Sequence, residues 1–186
     1  FNHANYPMFS KWLDRLNVPS VATSMSFGFD DYATGLTYGT AGWQGFVARP
    51  HQLLSRRYWA MWKDLFRFYR TLRRGPVPDC TLGEYLKVNT YGTTFAEAHL
   101  LPMCCALWSQ DSEHARELSL PHVIEFMRNH RMLNLATRPT WRVIAGGSRT
   151  YLDAFASDFN GEVRQACGNV RACRDGNGIR IASNIG

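Results

Sequence analysis

The chain has 186 residues and a formal net charge of +6, with 21 Lys and Arg against 15 Asp and Glu. Hydrophobic residues make up 45% and aromatic residues 13%, a balance that excludes a disordered tail or a low-complexity linker. No apolar run approaches the ~20 residues that a membrane-spanning helix needs, and the length suits one domain or a large piece of a bigger protein.

Only Lys11, Lys63 and Lys87 are lysines, so nearly all the positive charge is arginine. This charge suits an anionic partner such as nucleic acid, a phospholipid surface or a phosphate-bearing cofactor. The five cysteines, Cys80, Cys104, Cys105, Cys167 and Cys173, form no regular framework. An odd count with one adjacent pair favours reduced thiols and a cytoplasmic setting. The first residue is Phe1 and no leader pattern is readable, so the expectation is a processed start or an excerpt of a longer polypeptide.

Residues 6–16 place Phe9, Trp12, Leu13 and Leu16 on one helical face, with Pro7 in the first turn. Residues 24–29 and 36–40 have strand composition and are joined by a turn that ends at Gly35. Residues 41–50 read as a loop carrying Trp43 and Phe46. The strongest helix spans 55–74, where Tyr58, Trp62, Leu65, Tyr69 and Leu72 make a stripe that Trp59 and Phe66 widen. Pro76 and Pro78 end it, and Thr81 with Glu84 makes a capping box for the next short helix.

Thr93 or Thr94 opens a helix through Leu101 that Pro102 bends or ends. Pro121 suits the first turn of a helix over 121–130. Residues 140–147 read as a strand running into Gly146–Gly147, followed by a helix capped by Ser148. From Val163 to Ile181 two strands meet at an Asp-Gly-Asn-Gly turn. Helix thus dominates 50–135, and the strands at both ends are short of partners.

Neither a Gly-x-Gly-x-x-Gly loop nor a phosphate-binding Gly-x-x-x-x-Gly-Lys occurs, and there is no Gly-x-Ser-x-Gly elbow. His99 with Cys104 and Cys105 lacks the spacing that chelates zinc, so no metal is expected and the thiols read as small hydrophobes. The basic helix 55–74 has three meanings: a membrane-surface helix, a nucleic-acid contact, or a helix packing its stripe on a core. The third is the ordinary one, and no reading motif supports nucleic acid. The glycine pair lets a backbone approach a neighbour and offers helix N–H groups to an anion, or it is simply a tight strand–helix turn.

Taken in order, FNHANYPMFSKWLDRLNVPSVATSMSFGF, RPHQLLSRRYWAMWKDLFRF, TLGEYLKVNTYGTTFAEAHLLPMCCALWS, MRNHRMLNLATRPTW and WRVIAGGSRTYLDAF resemble a family of FAD-dependent amine-oxidase-like oxidoreductases. That family is encoded beside, or fused to, cyclopropane-fatty-acid synthases. The resemblance implies an α+β fold in which residues 20–140 form a mostly helical substrate-binding or cap domain. Residues 1–19 and 141–186 would then belong to a doubly wound FAD-binding domain.

The resemblance further implies that Phe1 and Asn2 lie near the flavin, that Gly146 and Gly147 return the chain to the FAD domain, and that Val170 contacts the adenine. The family's dinucleotide loop and its ribose-holding acid are missing from this sequence. FAD would therefore need the remainder of the same polypeptide or another chain. Hydride transfer between an apolar, lipid-like substrate and FAD is the implied chemistry. Trp43, Pro102, Met103 and Trp108 are the expected substrate-contacting residues, with LLPMCCALWS as the pocket lining. Contact with a membrane surface goes with such a substrate. His99, His122 and His130 are undistinguished as acids or bases, and a non-catalytic scaffold or lipid-binding subunit is the alternative reading.

Overall fold

The computed structural model describes residues 1–40, 42–134, 139–164, 166–176 and 178–184. The chain is of mixed α+β class and divides into two compact units. One takes Phe1–Ser10 with Val21–Val143, the other Lys11–Ser20 with Ile144–Gly186.

The first unit is built on helix α3 (Arg56–Arg74). The Ser55 hydroxyl caps it by accepting the Tyr58 N–H, filling one of the donors a helix start leaves open. Tyr58, Trp62, Leu65, Tyr69 and Leu72 are buried along it, as the period requires. The stripe widens differently from the sequence expectation. Met61 and Phe68 are buried, whereas Trp59 and Phe66 are about half exposed. A stripe two residues broad on one side leaves the opposite flank to solvent.

Helix α4 (Leu82–Val88) starts in the expected capping box of Thr81 and Glu84, and its Leu82, Tyr85 and Leu86 join the core. Two helices follow a short helix α5 (Thr93–Phe95) and a π turn over Ala96–Leu100: α6 (Leu101–Trp108) and α7 (Ser112–Glu117). The Asp111 carboxylate caps α7, an element the sequence reading left out. Helix α8 (Leu120–Asn129) carries Pro121 in its first turn and buries Val123, Ile124 and Met127. Each such fully buried aliphatic side chain contributes about 1.5–3 kcal/mol relative to exposure.

A hairpin of β2 (Gly28–Asp31) and β3 (Leu36–Gly39) lies in the same unit, with Phe29 opposite Tyr38. The expected strand over 24–29 therefore begins later. The expected loop over 41–50 contains a short helix α2 (Gly42–Phe46). Buried Gln52, from the 3-10 turn Pro50–Leu54, bonds both the N–H and the carbonyl of Thr37 and holds the edge of β3.

Helix α1 (Pro7–Arg15) carries the chain from the first unit into the second. There Trp12 meets Tyr151 and Phe155 of α9 (Ser148–Asp158), and Arg15 pairs with Asp158. The N-cap of α9 is Gly147, with no capping side chain, rather than Ser148. Strands β5 (Gly168–Asp175) and β6 (Gly178–Asn184) form an antiparallel hairpin with an irregularity between Gly168 and Arg171. Residues 163–164 and 166–167 lie outside β5, so the strand starts later than Val163. Every residue of β5 is exposed. The remaining strands, β1 (Ser20–Thr23) and β4 (Trp141–Ile144), pair with each other. No sheet among the described residues has more than two strands.

Candidate functional site

Pro102 determines the local geometry of the site. In an α-helix the N–H of residue 102 would bond the carbonyl of Ala98, but proline has no N–H and its ring crowds that carbonyl. The chain relieves the conflict by widening into the π turn over Ala96–Leu100, and the helix then continues through Pro102 as α6. Of the two expected outcomes, bending or ending the helix, Pro102 does not end it: the chain runs on through the π turn into α6.

The carbonyl so displaced is bonded by the buried Tyr38 hydroxyl at 2.8 Å. The same hydroxyl lies 2.7 Å from Nδ1 of His99, the next residue of the turn. A phenol has one proton, and a carbonyl can only accept, so that proton belongs to Ala98. His99 Nδ1 therefore carries a hydrogen and donates to Tyr38, and Nε2 faces the Tyr69 hydroxyl at 3.3 Å. The relay ends on a backbone carbonyl, which cannot pass a proton on. This arrangement fixes the imidazole tautomer and its orientation.

His99 is only 1% exposed, and Phe95 stacks on it while Phe27 meets it edge-on. His99 and Tyr69 lie in the wall of a cavity of about 390 Å³ within the first unit. Its other walls are mostly apolar: Phe27, Met103, Leu107, Phe126, Met132 and Trp141 among them. None of its described lining residues is a carboxylate, lysine or arginine. A concavity of this size and polarity suits a neutral, largely apolar molecule of moderate length.

His130 is the second histidine of the cavity. It stacks on Phe126 at 4.0 Å between ring centres, lies parallel to Trp141, and sends its Nδ1–H to the Phe126 carbonyl. His122, by contrast, is exposed and lies outside the lining. The structure thus separates three histidines that spacing alone leaves equivalent.

Of the expected substrate residues, Met103 is buried and lines the cavity. Pro102 is half-buried and acts on the cavity only through the turn it forces. Trp108 is half-buried and packs on Phe126 and His122, behind the lining. Trp43 is 74% exposed on α2, stacked beside Phe46 and away from the cavity. No family model and no curated protein matches this chain.

The residues that the resemblance assigns to FAD fall into both units. In the first, the Phe1 ammonium donates to the Arg142 carbonyl at 3.0 Å, and the ring meets Phe9 edge-on. Asn2 is fully buried; its Oδ1 accepts the Asn5 N–H, and its Nδ2 has no partner among the described residues. In the second, Gly146 and Gly147 hold φ of 81° and 85°, which a side chain tolerates poorly. A Cβ on Gly147 would meet nothing within 4 Å, so the turn before α9 is open. Val170 is 57% exposed on β5. Within the first unit the orphaned Asn2 amide is one buried donor, and within the second the start of α9 is open; neither by itself makes a flavin site. No cluster of three metal-capable side chains occurs among the described residues, and none of their helices is long and apolar enough to cross a membrane.

Proposed function

We propose that this chain is the substrate-binding part of a flavin-dependent oxidoreductase of the amine-oxidase type, and that its substrate is an apolar, lipid-like molecule. The observation that carries the reading is the uncharged cavity over His99 and Tyr69. When bound, a flavin would supply the hydride chemistry. The chain's own residues bind and orient: Met103, Leu107, Phe126 and Trp141 desolvate an alkyl chain, and Tyr69 offers one hydroxyl to a polar end. His99, its Nδ1 against the Tyr38 hydroxyl, turns Nε2 to the Tyr69 hydroxyl and holds that group in place.

Two further features support a larger assembly completed by the remainder of the polypeptide or another chain. The exposed β5–β6 hairpin presents Val170, Ile179 and Ile181 to solvent, and an isolated hairpin is marginal without a covering layer. The Gly146–Gly147 turn leaves a helix start open for an anionic group. A cytoplasmic setting goes with the reading, as no disulfide joins the five cysteines.

A second reading, a non-catalytic lipid-binding subunit, is favoured by the exposed Trp43, Leu54, Trp59 and Phe66, beside the exposed Arg56, Lys63 and Arg70. Aromatic groups with flanking cations suit a headgroup layer. Purification of the whole native protein distinguishes the two. A visible flavin spectrum that bleaches on adding a lipid substrate supports the oxidoreductase. A colourless, folded protein that binds lipid vesicles contradicts it and selects the subunit.

A further inference from the structure

A second concavity of the first unit, about 270 Å³, is lined by Arg73, Arg74, Arg128, Arg131, Leu133 and Asn134. We propose that these four arginines form a binding site for a phosphate-bearing anion, either a small phosphate or pyrophosphate or the headgroup of an acidic phospholipid. The inference is independent of the flavin reading.

The site forms where the C-termini of α3 and α8 meet. Arg128 sends Nε–H and Nη2–H to the Leu72 carbonyl and Nη2–H also to the Gly75 carbonyl. Its guanidinium plane is thereby fixed, and carbonyls at the end of α3 are bonded, while Nη1 has no hydrogen-bond partner among the described residues. Arg131 stands just past α8, where its N–H bonds the Arg128 carbonyl and the Met132 N–H bonds the Met127 carbonyl. That is the helix ending in which glycine normally takes the left-handed position, yet an arginine holds it at φ 54°.

Charge decides what the concavity takes. Two helix C-termini contribute roughly −0.5 each, so four guanidiniums leave a net charge of about +3, and no carboxylate is among the described lining residues. Seven arginines elsewhere in the chain meet a carboxylate. Arg73, Arg74 and Arg131 meet none among the described residues. Guanidinium forks match phosphate oxygens two at a time, which a lysine cluster would not.

The test titrates the full chain with inorganic pyrophosphate by calorimetry and, in parallel, measures flotation with phosphatidylcholine vesicles with and without phosphatidic acid. Arg131→Gly removes one charge and suits the backbone, so a loss of binding in that variant is not a loss of fold. Arg73→Gln with Arg74→Gln is the second variant, and Arg171→Gln on β5 is the control. The expected result is binding weakened tenfold or more by the first two and unchanged by the control. If only the phosphatidic acid vesicles bind, with the same loss, the phosphate comes from a headgroup and the site stands. No binding of either probe, or equal binding in all variants, overturns it.

Discussion

The Tyr38 hydroxyl stands 2.7 Å from Nδ1 of His99, across 61 residues of sequence, and each group is buried. One strand of a hairpin thereby fixes the ring orientation of a histidine on a helix. Replacing Tyr38 by Phe keeps the ring packing but strands the Ala98 carbonyl and His99 Nδ1. Each buried unpaired group costs about 1–3 kcal/mol, so Tyr38→Phe should lower stability by roughly 2 kcal/mol or more in urea unfolding. Nitrogen NMR of His99 should also lose the single Nδ1–H tautomer.

Pro102→Ala should separate folding from binding. The new N–H at 102 can bond the Ala98 carbonyl in the ordinary way, which anneals the π turn into a regular helix. Stability should hold or rise, while affinity for an apolar ligand falls severalfold because His99 and Met103 rotate relative to the cavity. Helical amide exchange read together with ligand titration checks both parts.

Burial pushes the phenols of Tyr38, Tyr58 and Tyr91 above the ordinary tyrosine range. Below about pH 10 these groups are neutral whether folded or unfolded. As pH rises beyond that, the unfolded chain loses protons that the folded one keeps, so stability should fall with rising pH. A spectrophotometric titration should show these three phenols ionising later in the native protein than in denaturant.

Burial also pushes the Cys104 thiol up to about 12, with Cys105 beside it a smaller cause. Cys173 is exposed and Cys104 is fully buried. Under native conditions a maleimide reagent should modify Cys173 readily and leave Cys104 untouched until unfolding. Mass mapping of labelled peptides checks the order.

Much of the first unit was legible in the sequence. The α3 stripe, the Thr81–Glu84 capping box and Pro121 at a helix start are local signals, set by residues at most a few turns apart. Trp59 and Phe66 were misread because periodicity gives the centre of a buried stripe better than its width. The cavity was scarcely legible, since Tyr6, Phe27, Tyr69, His99 and Trp141 meet only once the chain has folded. The one local clue was Pro102 four residues after Ala98 with His99 between, a spacing that forbids a plain helix there. The open turn of α9 shows the limit from the other side: Gly146–Gly147 was marked by sequence, but its capping residue was placed one position late.

A fluorescence titration with a neutral polyene alcohol, whose emission rises in apolar surroundings, reads the cavity over His99. Binding should be saturable, abolished by Met103→Trp, which fills the space, and unchanged by Trp43→Ala on the exposed flank. Saturable binding that survives Met103→Trp and disappears with Trp43→Ala would contradict binding in the cavity.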